Sequence, residues 1–154
     1  LYLLSWYWEW VKYSIAFNIQ NVADKRKKLD IAIQTVIESN RRNPLVDYID
    51  EEKLHALVLE ESEKAYHTKY VDNENKEGFF LTLKSLKTEI SKLIQELKPD
   101  YPYPNSLAST ILEMSASLRF YAHHLPSMSD VNDLSKTDEE IFNYLNSLVN
   151  GTLK

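Results

Sequence analysis

The sequence predicts an all-α fold: a single antiparallel helical bundle of about five helices spanning residues 1–154, with a long helix at its N-terminus. Three observations lead there. Apolar residues recur at spacings of three and four along most of the chain. No segment alternates apolar and polar residues for long enough to suggest a sheet. The periodic segments are separated by short polar or proline-bearing breaks, and short connections favour antiparallel neighbours.

Residues 5–41 read as one long helix. Ile15, Ile19, Val22, Leu29, Ile33 and Val36 form one stripe along it, with Arg26 in the gap. A second stripe, Trp6, Trp10, Tyr13 and Phe17, lies about 200° around the helix from the Trp8–Ile15 line. The N-terminal half is therefore apolar on two sides, and a bundle needs only one. Pro44 ends the helix, because it disfavours helical geometry at Asn43.

A second helix is expected from Asp50 to about Val71, capped by Asp50, followed by a polar loop over residues 72–78. The third helix has an unbroken stripe of Phe79, Leu83, Leu86, Ile90, Leu93 and Leu97. Residues 99–104 form a proline-rich loop that should be stiff. Asn105 or Ser106 can cap the fourth helix, whose stripe is Leu107, Ile111, Met114, Leu118, Tyr121 and Leu125. Pro126 stops it, and an irregular linker follows. Thr137-x-x-Glu140 reads as a capping box for the last helix, with Ile141, Leu145 and Leu148 facing inward and Gly151 closing its end.

Composition removes several function classes. With only two glycines there is no phosphate-cradling loop, and with no cysteine there is no disulfide, thiol nucleophile or thiolate metal site. Serines lack the Gly-x-Ser-x-Gly elbow of hydrolases. Glu52-x-x-His55 has the spacing of carboxylate-bridged di-metal bundles, but no second such pair exists, and Glu51/His55 and Glu63/His67 are spaced one residue wider. No metal and no cofactor is expected. Tyr66, Tyr70, Tyr101 and Tyr103 could stack bases, yet the acidic chain around them would repel a nucleic-acid backbone.

Charge is uneven. Residues 1–42 carry +3 and the remainder −8. All three tryptophans fall between residues 6 and 10, and Lys25, Arg26, Lys27 and Lys28 follow. An apolar end, an aromatic belt over residues 1–20 and a basic cluster mark a chain leaving a membrane on its cytoplasmic side. Leu1–Leu4 cannot span a bilayer by themselves, though they could be the last turn of a spanning helix.

Ser117 to Leu125 contains Arg119, four further residues and His124. This segment resembles the Arg-x4-His motif of the HEPN superfamily, small all-α domains of which many are dimeric, metal-independent ribonucleases. The resemblance covers about residues 79–150: a helix, a proline-containing loop, a helix ending in the Arg…His segment and a closing helix. It implies that Arg119 binds the scissile phosphate and that His124, or its neighbour His123, moves a proton to the leaving oxygen. Phe120 departs from the family, which places a polar residue there. Without the resemblance, Arg119 pairs with an acid and the two histidines cover the negative end of their helix.

The reading that follows is a non-catalytic helical interaction domain, the membrane-proximal part of a bacterial protein, at the cytoplasmic face of a membrane or in the cytoplasm. Its surface would be Trp6, Trp10, Tyr13, Phe17, Lys25, Arg26, Lys27 and Lys28. Its partner would be a protein, a second copy of the chain or an anionic membrane. The alternatives are a HEPN-like ribonuclease or inactive relative in a toxin or defence system, with RNA as partner, and a small acidic immunity protein that occludes a basic toxin.

Overall fold

A computed structural model describes residues 2–39, residue 60 and residues 81–154, with side chains from Tyr7 onward. The described residues form an all-α bundle of α1 (Tyr2–Asn18), α2 (Lys25–Glu38), α3 (Leu81–Leu97), α4 (Pro104–His124) and α5 (Thr137–Thr152), with a 3-10 turn at Pro126–Met128. The helix expected from Asp50 to Val71, the loop at 72–78 and the Glu/His pairs at 51–67 lie outside the described residues.

The long N-terminal helix is two helices. α1 ends at Asn18, and residues 19–24 turn before α2 begins. Asn21 takes a positive φ of 67°, a left-handed conformation that asparagine tolerates better than most residues. Asp24 then caps α2, its carboxylate accepting from the backbone N–H groups of Arg26 and Lys27. The stripe through Ile19 and Val22 hid this break, because two helices that pack on one core continue the same apolar spacing.

α2 is the central element and packs against α1, α3, α4 and α5. Its second half is buried almost all round: Leu29, Ala32, Ile33, Val36 and Ile37 are in the core, and Thr35 is covered as well. Thr35 sits on the side away from Ile33, where the Asn18 amide donates to its hydroxyl at 2.9 Å. The buried surface of this half is therefore wider than the stripe of Leu29, Ile33 and Val36.

α3 and α4 form the most extensive helix pair. Leu86, Ile90, Leu93, Ile111 and Leu118 are buried as the stripes require, and Ile94 and Ala108 join them; Met114 is half-buried against the same core. Leu125 departs from its stripe and is exposed, because α4 stops at His124 and Pro126 opens the 3-10 turn. α4 is not capped by Asn105 or Ser106. It starts at Pro104, whose fixed φ and missing N–H suit the first helical position.

The Thr137 capping box does not form. Lys136 occupies the capping position without a side-chain bond, and Thr137 is already helical, its hydroxyl donating to the Asp133 carbonyl at 3.2 Å. The preceding turn is held instead by Asp133, which accepts from the Ser135 N–H at 3.0 Å and from its hydroxyl at 2.6 Å. α5 runs through Gly151 to Thr152, so Gly151 is no cap. Its inner face is Ile141, Leu145 and Val149, with Leu148 half-buried.

Candidate interaction surface

α1 lies against α2 and α3. Tyr7, Trp8, Val11 and Ile15 are buried there, and the Tyr7 hydroxyl meets that of Ser39 at 3.2 Å. On the helix edge Lys12 donates to the Ser85 hydroxyl at 2.9 Å, with Glu9 at 3.8 Å from its ammonium. The opposite side carries Tyr13 and Phe17, which are 64% and 76% exposed. Residues four apart on a helix are neighbours, so the two rings form one apolar outcrop beside the exposed Ala16.

Trp10 does not belong to this outcrop. It is half-buried and packed against the core. Its position is about 115° from the middle of the buried arc, at the border between the covered and open sides of α1. Tyr13 lies nearly opposite that arc. The Trp6 side chain is outside the described set.

The four basic residues at the start of α2 divide by direction. Arg26 turns into the bundle: it donates to Asn146 at 3.3 Å and to Asn150 of α5, and it lies 3.6 Å from Asp30. Burial holds the Asp30 carboxyl above its ordinary pKa, an effect opposed by Arg26 and reinforced by Asp24. Lys25 and Lys27 are exposed and Lys28 is half-buried. α2 has no acidic residue in its first turn, so these cations sit at the positive end of the helix dipole, where cations are disfavoured.

Arg119, by contrast, is largely inside. Its side chain is 14% exposed and pairs with Asp138 at the start of α5, itself 17% exposed. The same guanidinium donates to the Ile37 carbonyl at 3.3 Å. One side chain on α4 thus ties α5 to the end of α2. His123 and His124 are exposed at the C-terminal end of α4, the Nδ1 of His123 lying 3.0 Å from the Arg119 carbonyl and the His124 ring 4.9 Å from the Phe120 ring. α4 is helical from Arg119 to His124, which sets those two side chains about 140° apart. To serve the role the resemblance implies, Arg119 would have to exchange Asp138 for a phosphate.

Among the described residues no group of three or more His, Asp or Glu comes together to hold a metal, and no helix is long and apolar enough to cross a membrane. Compared with protein-family models, curated proteins and solved structures, the chain matches none.

Proposed function

We propose that the chain is a non-catalytic helical interaction domain working at the cytoplasmic face of a membrane, and that the outward side of α1 is its contact surface. The observation that carries this reading is the pair Tyr13 and Phe17, exposed one turn apart on a helix whose other side is fully committed to the core. Burying a Phe-sized side chain is worth about 1.5–3 kcal/mol. Two such rings can therefore supply a large part of a reversible contact, after the cost of losing freedom on binding is met. Charge supports the same end of the molecule, since residues 1–42 are positive and the rest is negative.

A photoreactive phenylalanine analogue placed at position 17 in living cells tests this. A discrete cross-linked species, protein or lipid, is expected from position 17 and not from position 109, an exposed site on α4. Equal yields at the two positions would remove α1 as the contact surface.

A further inference from the structure

We infer that the partner of the α1 surface is an anionic lipid bilayer, with Phe17 and Tyr13 at the headgroup boundary and Lys25 and Lys27 among the lipid phosphates. This rests on the contact surface proposed above and names what it touches. The rings have the right chemistry. Phe17 is wholly apolar, and Tyr13 is apolar along its ring with a polar tip, the combination that settles where hydrocarbon meets headgroup. The two kinds of group are close along the chain, Phe17 near the end of α1 and Lys25 at the start of α2. Gln20 N–H donates to the Phe17 carbonyl at 3.3 Å and Val22 N–H to the Ile19 carbonyl at 3.1 Å, so the connection into Lys25 is turned rather than extended.

Among the described residues, the Lys25 and Lys27 ammonium groups have no hydrogen-bond or ion-pair partner. Arg26 reaches α5, but Lys25 and Lys27 are exposed at a helix end whose dipole disfavours them. The Asp24 carboxylate between the two groups is engaged by the N–H groups of Arg26 and Lys27. An anionic surface turns that unfavourable placement into attraction, worth roughly a fivefold gain in binding per lysine near the surface.

A second copy fits less well. A two-fold contact sets the same patch against itself, which would bring two sets of Lys25 and Lys27 together. A bilayer also repels the negative remainder of the chain, so the charge asymmetry alone turns the α1–α2 corner towards it. Because a bilayer is a continuous field of phosphates, it needs no fixed spacing between ring and ammonium.

Co-sedimentation of the whole chain with phosphatidylcholine vesicles, with and without phosphatidylserine, tests the assignment. Binding is expected only with phosphatidylserine, and it should weaken as salt rises to physiological strength. Tyr13→Ser/Phe17→Ser and Lys25→Glu/Lys27→Glu should each weaken it at least about tenfold while leaving the circular dichroism and melting temperature unchanged. Lys84→Glu/Lys92→Glu, at exposed positions on α3, should change binding far less. Absence of binding, equal binding to neutral vesicles, or equal loss in the α3 variant would overturn the lipid assignment. If vesicles fail but position 17 still cross-links to a protein, the contact surface stands and only its partner is wrong. A concentration-dependent dimer lost in the Tyr13/Phe17 variant would give that place to a second copy.

Discussion

Arg119 offers the sharpest test of how this bundle is held. Its guanidinium and the Asp138 carboxylate are 14% and 17% exposed, and the Ile37 carbonyl accepts from the same nitrogen. Removing one partner of a buried pair leaves the other charge in a poor solvent and typically costs about 3–5 kcal/mol. The residual exposure of both side chains lets water relieve part of that, so about 2–4 kcal/mol is expected for Asp138→Asn or Arg119→Met. In a chain of this size each kcal/mol moves the melting temperature by roughly 2–4 °C.

Replacing both together should cost less than the sum of the singles, because neither charge is then stranded. The coupling should be about 1–3 kcal/mol. Urea unfolding followed by circular dichroism measures all four proteins of the cycle. Single costs below about half a kcal/mol with no coupling would show that the pair is a surface contact worth little. The same proteins, incubated with RNA in the absence of metal, should leave it intact. Cleavage by the native chain that disappears in His124→Ala, an exposed position, would replace the interaction domain with a nuclease.

Two further expectations concern α5 and α2. Gly151 lies within α5 with a helical backbone, and a Cβ added there meets nothing within 4 Å, so Gly151→Ala should stabilise the chain by up to about 1 kcal/mol in thermal or urea unfolding. A loss of stability would mean that the residue caps the helix after all. Asp30 has a raised pKa, so between its unfolded value of 3.8 and its folded value the native state binds more protons and stability falls as pH rises. Asp30→Asn should therefore flatten that part of the pH–stability curve and cost nothing at neutral pH; a clear loss at neutral pH with an unchanged slope would show that the Arg26 pair outweighs burial.

How much the sequence revealed depended on whether one force acted alone. α3 and α4 were legible to the residue at Leu86, Ile90, Leu93, Ile111 and Leu118, because nothing competes with their apolar spacing. The α1–α2 break was not, since no proline or glycine marks it; its signal was Asp24 standing directly before a charged helical run, with Asn21 able to take the left-handed turn. Thr137 misled because Asp133 and Ser135 build a turn that carries the chain into α5 without a side-chain cap.

In the candidate surface, Tyr13 and Phe17 were readable as surplus apolar area. Trp10 was not, because a periodicity argument gives directions around one helix and says nothing of how far two neighbours reach around it. The division among the basic residues was likewise hidden. Arg26 and Lys25 are equivalent until Asn146 and Asn150, 120 and 124 positions away, are brought beside one of them. That Arg119 pairs with an acid was among the readings the sequence offered; that the acid is Asp138 was not.

The ties that hold α1 and α2 are distant along the chain: Lys12 to Ser85 spans 73 positions, Arg119 to Ile37 82 and Arg26 to Asn146 120. α3 with α4, α4 with α5, and α1 with α2 are pairs close in sequence, whereas α3 also meets α1 and α2, and α5 meets α2. Contacts of low separation form early, because little loop entropy must be given up before they are rewarded. The α3–α4 pair, the most extensive of the local contacts, is therefore expected to form early, with α1 and α2 docking onto it across a long chain separation. Weakening Ile111 should then mainly slow folding, whereas weakening Ile33 should mainly hasten unfolding. On that order the N-terminal corner is expected to be the last part of the bundle to arrive and the first to leave.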